Sequence, residues 1–174
     1  MYPDIALLIL RVVIGGVVMQ HGLMKLGAHG KGGSVAGTGK WFDGLGIRPG
    51  LLWAIVVVAA EAGGGLLTVL GLGGPIGPAL LAGDLLVVTI VAHWPQGFWV
   101  MGSKAGWEFT LPLAASALAI ALLGSGAYSL DAFLALSYPE WLLLVSLAVV
   151  AVGDALALAS RAIFAPRQAQ QRPA

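Results

Sequence analysis

Few side chains in this sequence could do chemistry, and most of those stand inside long apolar runs. Arg11, His21 and Lys25 lie in the first run, Glu61 in the second, Asp84 and His93 in the third, Glu108 in the fourth and Asp154 in the fifth. An ionisable group in hydrocarbon costs about 2.5–3.5 kcal/mol on insertion scales, so it needs a partner or a task. The tasks open to this set are proton relay, hydrogen bonding to a carbonyl acceptor and plain charge pairing. The chain has no cysteine, which excludes disulfides, thiolate metal ligands, iron–sulfur clusters and dithiol redox chemistry. It has no His-x-x-x-His or Glu-x-x-His pair and no nucleophile–histidine–acid set, so no metal is expected. Ser34 to Lys40 fails as a phosphate loop, because Ser34 stands where the first glycine belongs and Trp41 where Ser or Thr belongs.

Helical spacing says which of these groups can meet. At 100° per residue Arg11, His21 and Lys25 share one face with Gly15 and Gly22, so that face should point into a bundle. At about 1.5 Å per residue from the cytoplasmic boundary, Glu61 and Asp84 lie about 15 Å deep and Arg11 about 22 Å deep. An Arg11–Glu61 or Arg11–Asp84 ion pair is therefore expected, with Arg11 reaching out to the nearer interface as the alternative. His21, Lys25, His93 and Glu108 should cluster near the cytoplasmic boundary with Trp94 and Trp107. Asp84 and His93 are half a turn apart and should not face one small pocket.

The elements that must hold these groups are membrane spans. Of the 174 residues 59% are hydrophobic and 10% charged, against about 45–50% and about 25% in soluble domains. Five apolar stretches approach the roughly 20 residues that cross about 30 Å of hydrocarbon. They run about Ile5–Leu26, Leu51–Leu72, Ile76–His93, Trp107–Leu123 and Trp141–Arg161. Runs of this length are helices rather than barrel strands, so the fold class is all-α integral membrane. Ser137-Tyr138-Pro139-Glu140 reads as a capping box that starts the last helix.

Lys25, Lys31, Lys40, Arg48, Lys104, Arg161, Arg167 and Arg172 all fall on one side, and the other side has at most Arg11. Positive-inside then puts the N-terminus outside and the C-terminus in the cytoplasm, which needs an odd number of spans. Aromatic belts agree, with Trp41, Trp53, Trp94, Trp99 and Trp107 on the cytoplasmic side and Tyr2, Tyr128, Tyr138 and Trp141 on the other. A net charge of +1 gives no reason to expect nucleic acid.

Three segments in order resemble the DoxX family of small bacterial membrane proteins. The first is Leu10-Arg11 with Gly15, His21-Gly22 and Lys25-Leu26. The second is Glu61-Ala62-Gly63-Gly64-Gly65-Leu66-Leu67 ending in Leu70-Gly71-Leu72. The third is Gly124-Ser125-Gly126-Ala127-Tyr128-Ser129-Leu130-Asp131. The resemblance implies a four-helix transmembrane bundle over residues 1–131. To this the chain adds a C-terminal transmembrane helix over 132–162, five spans in total, and a polar cytoplasmic tail over 163–174. It also implies a bacterial inner-membrane location and a role beside oxidoreductases. Family members serve as the membrane subunit of thiosulfate:quinone oxidoreductase or accompany thiol- and superoxide-handling enzymes. The family residues to watch here are Arg11, His21, Gly22, Lys25, Glu61, Gly64, Tyr128 and Asp131.

The first functional expectation is a membrane subunit of a redox complex that touches the quinone pool. His21, Lys25, Glu61 and Glu108 would supply donors and proton relay in an apolar slot. A haem held by His21 and His93 is the weaker cofactor reading. The alternative function is a non-enzymatic scaffold, assembly factor or chaperone, docking partners through Lys31, Lys40 and Trp41-Phe42. The expected partners are the lipid bilayer and either a redox-enzyme subunit or a second copy of the chain. A small-anion transporter using Arg11 and Lys25 is the least supported, since no span is plainly broken at the midplane.

Overall fold

A computed structural model describes residues 2–28, 30 and 33–165. Lys31, Arg167 and Arg172, and the expected tail beyond residue 165, lie outside the described residues. Helix α1 spans Tyr2–Lys25. A shorter helix, α2 (Val35–Leu45), follows in the long first connection, where glycine-rich sequence gave no expectation of one. Ser34 starts it by accepting a hydrogen bond from Gly37 N at 3.0 Å. Helices α3 (Gly50–Leu70) and α4 (Ile76–Gln96) are each 21 residues long. Asp43 of α2 caps α3 by accepting from Gly50 N at 2.8 Å.

The fourth apolar stretch is shorter than expected. Helix α5 is Thr110–Leu123, 14 residues, or about 21 Å at 1.5 Å per residue. Trp107 and Glu108 do not join it because their backbone N–H groups donate to Gly97 O and Phe98 O. They close a small hairpin whose strands are β1 (Val100–Met101) and β2 (Lys104–Ala105). A four-residue helix α6 (Leu130–Phe133) leads to the last long helix, α7 (Trp141–Phe164). The capping box is not formed, because α7 begins at Trp141 and puts Glu140 rather than Ser137 at the N-cap, with no side-chain cap. Helix α7 ends at Phe164.

Helices α1, α3, α4 and α7 are long and apolar enough to cross a membrane. Glycine sets how closely they meet. A Cβ on Gly22 would stand 2.5 Å from Ala62 N, one on Gly65 would stand 2.8 Å from Gly15 O, and one on Gly77 2.7 Å from Gly64 O. These contacts lock α1 to α3 and α3 to α4, as small residues do where lipid removes any hydrophobic drive between helices. Two apolar clusters fill the rest. Leu7, Ile14, Val18, Leu81, Leu85 and Ile120 pack near one end. Phe42, Ile47, Ala54, Val91 and Ala157 pack near the other. Phe42 is thus core, which removes it from the docking surface expected of the first connection.

Both middle helices widen by one residue per turn. Ala59–Gly64 in α3 and Thr89–His93 in α4 are π turns. Such turns free backbone groups and re-aim side chains, and they occur often at functional sites. Thr89 returns its hydroxyl to Leu85 O at 2.6 Å.

Candidate functional site

The glycine contacts decide the ion pairing. Because Gly22 rests on Ala62, Glu61 stands level with the last turn of α1, eleven residues and about 16 Å from Arg11 along the helix. Lys25 therefore takes Glu61, with Nζ 2.6 and 2.5 Å from its two carboxylate oxygens. Glu61 is 7% exposed. The expected Arg11–Glu61 and Arg11–Asp84 pairs do not form.

Arg11, 2% exposed, is used at the opposite end of the bundle. Its guanidinium donates to Ser125 O at 2.6 Å and to Tyr128 O. Asp131 is the acidic group closest to it electrostatically. Gly71, at φ 64°, leaves the space that the guanidinium fills. The Asp131 carboxylate accepts four hydrogen bonds, from Gly73 N at 3.0 Å, Gly74 N at 2.9 Å, Ser125 Oγ at 2.5 Å and Tyr138 Oη at 2.9 Å. Burial alone would raise its pKa. The bonds from Ser125, Gly74, Gly73 and Tyr138 outweigh that and hold it below the ordinary carboxylate value. Arg11, Tyr128 and Asp131 thus form a clasp that joins α1, the α3–α4 turn and the α5–α7 connection.

The chemistry-bearing groups gather at the other end, around a cavity of about 310 Å³. Lys25, Glu61, Asp84 and Asp154 line it, set among Trp41, Trp53 and a majority of valine and other apolar side chains. Helices α1, α2, α3, α4 and α7 all contribute. Glu61 stands in one π turn, and the other follows Asp84 by little more than a helical turn. Asp154 is the residue that spacing within single spans could not bring here. Its only signal was its isolation as an acid in the last apolar run.

The remaining candidates stand apart from this cavity wall. His21 is exposed, though within electrostatic reach of Glu61. His93 places Nδ1 2.5 Å from Ala105 O, and Glu108 accepts from Val100 N at 2.8 Å. Both brace the hairpin, with Trp94 stacked on Trp107 at 5.1 Å and Phe98 edge-on to Trp107 at 4.7 Å. Gly22 and Gly64 act through the close helix contacts described above. Among the described residues no group of three or more histidine and carboxylate side chains is gathered to hold a metal ion.

These features define a multi-pass helical membrane protein with an apolar pocket that carries one lysine and three carboxyl groups. The chain belongs to the DoxX family, whose model matches residues 6–94. That segment contains Arg11, His21, Gly22, Lys25, Glu61, Gly64, Asp84 and His93, while Tyr128, Asp131 and Asp154 lie beyond it. No curated protein and no solved structure matches the chain.

Proposed function

We propose that the protein is the membrane subunit of a bacterial oxidoreductase complex and that its cavity receives the headgroup of a quinone. The observation that carries this reading is the apolar slot walled by Trp41 and Trp53, with the Lys25–Glu61 pair and two further acids at its side. Its volume, about 310 Å³, suits a single-ring headgroup with the tail left in lipid, and ligand sites of this kind are mostly apolar with few polar groups. Glu61, Lys25 and the acids offer hydrogen bonds and proton exchange with the surroundings. Electrons would come from a partner protein, since the chain has no cysteine to relay them.

The accompanying topology is five crossings in the inner membrane, residues 1–131 forming the family bundle and 132–162 the added span. The N-terminus would be outside and the C-terminus cytoplasmic. Lys25, Lys40, Arg48 and Arg161 then share the cytoplasmic end, where Arg161 donates to Leu45 O at 3.3 Å and Arg48 N to Ser160 Oγ at 2.8 Å. Helix α5 is short for a crossing, but its ends meet the hairpin on one side and the Arg11 clasp on the other, and local thinning accommodates such a span. Gentle purification from native membranes should recover a redox-enzyme subunit and extractable quinone. In that complex Glu61→Gln should abolish quinone-linked turnover while the protein still folds, at lower thermal stability. If turnover survives and only thermal stability falls, the buried charges are structural and the redox reading is wrong.

A further inference from the structure

Asp84 and Asp154 come together where α4 meets α7. Gly83 has no side chain, and Val150 and Asp154 take the space beside it, with Val150 Cγ1 closest and the Asp154 oxygens 3.0 and 3.2 Å from where a Gly83 Cβ would stand. Both acids line the cavity, and Asp84 lies within electrostatic reach of Glu61, Lys25 and Asp154. Neither has a hydrogen-bond or ion-pair partner among the described residues. Among the described residues Lys25 is the only base in the wall, and Glu61 holds it with both oxygens. One lysine therefore faces three carboxyl groups. Two bare carboxylates in an apolar slot would cost several kcal/mol each. A carboxyl group carried into lipid favours its uncharged form, and an uncharged carboxylic acid is an O–H donor.

We infer that Asp84 and Asp154 act together as the hydrogen-bond donors for the molecule held in this cavity, which makes α7 part of the binding site. The inference rests on the quinone reading and deepens it. A quinone headgroup presents carbonyl acceptors and no donors, so its site must supply the donors. Glu61 takes two of the three Lys25 N–H groups, and the two acids add side-chain donors on the α4 and α7 walls of the slot. Asp154 lies outside the segment that matches the family, residues 6–94. The C-terminal helix would thus give this chain a second donor that the matched segment alone lacks.

The test is a titration of the purified full-length protein in detergent with decylubiquinone, read by quenching of tryptophan fluorescence. Trp41 and Trp53 line the cavity and serve as the reporters. Wild type should quench saturably. Asp154→Asn, whose carboxamide still donates, should bind within about threefold of wild type, and Asp154→Leu at least about tenfold more weakly. Wild-type affinity in Asp154→Leu overturns the donor assignment and leaves the quinone reading standing. An Asp154→Asn protein as weak as Asp154→Leu also overturns it. No saturable quenching in wild type overturns the quinone reading itself, and the donor pair falls with it. If Asp154→Leu does not fold, Gly153→Phe replaces it. Gly153 lines the cavity with no heavy atom within 4 Å of where its Cβ would stand. Its phenyl group should block the slot from the α7 side, and undiminished binding would refute the role of α7.

Discussion

Replacing Asp131 with asparagine changes one atom and tests the clasp directly. Each carboxylate oxygen accepts two hydrogen bonds, Oδ1 from Gly73 N and Tyr138 Oη, and Oδ2 from Gly74 N and Ser125 Oγ. Asparagine keeps one acceptor oxygen and turns an NH₂ group toward two donors. One backbone N–H is left unanswered whichever way the amide faces, while the hydroxyl can rotate to accept. A hydrogen bond to a charged group contributes about 1.5–3 kcal/mol, so losing one backbone bond and weakening the rest should cost about 3 kcal/mol. For a chain of this size that corresponds to a fall in Tm of about 6–12 °C. The assay is thermal unfolding in detergent at pH 7, followed by circular dichroism. The pH dependence has a definite sign. Asp131 is held below its ordinary value of 3.8, so its stabilisation is complete above that value and is lost as pH falls through the depressed one. The gap between wild type and Asp131→Asn should stay constant from pH 7 to 5 and close only below about pH 4. A Tm within 2 °C of wild type would refute the reasoning, as would a gap that narrows already between pH 7 and 5.

Gly71→Ala should lower stability by at least about 2 kcal/mol, since φ 64° disfavours a side chain and the new methyl group meets the Arg11 guanidinium; a wild-type Tm would contradict this. Lys25→Met and Glu61→Gln should each cost more than half of what the double variant costs, with a coupling of about 2 kcal/mol in a thermal-melt cycle; additive effects would show that the pair is not coupled. Gly22→Leu should separate α1 from α3 and give a polydisperse protein on size exclusion. Gly16→Leu, where a Cβ meets nothing within 4 Å, should elute as wild type does, and equal damage by both would exclude the packing argument.

The long helices were legible because hydropathy is a local property. The partner of Arg11 was not. Its register against α3 is set by the contact of Gly22 with Ala62, so the partner inferred for it belonged to Lys25. The sequence Gly124–Asp131 was recognisable as a motif but silent about its job, because Asp131 answers donors at Gly73 and Gly74, nearly sixty residues earlier. Glu61 and Lys25 were picked out as the polar groups to watch, and they do meet. Asp154 joins them only through the packing of α7 on α4, which no single-span periodicity encodes. The hairpin took His93 and Glu108 out of the candidate set, since backbone groups in a short turn must find partners and these side chains were nearest.

The widened turn at Ala59–Gly64 contains one residue more than an ordinary helix would need. Everything in α3 before it and everything after it is therefore phased by that surplus amide. Excising a single residue there would relax the turn and swing one half of α3 by about 100° against the other. If the N-terminal half stayed seated against α2, the glycine ridge that meets α1 would rotate off it. If the ridge stayed, Trp53 would leave the cavity wall. The pocket and the helix contact are thus set by one shared count of residues, and a one-codon deletion would force the protein to keep only one of them.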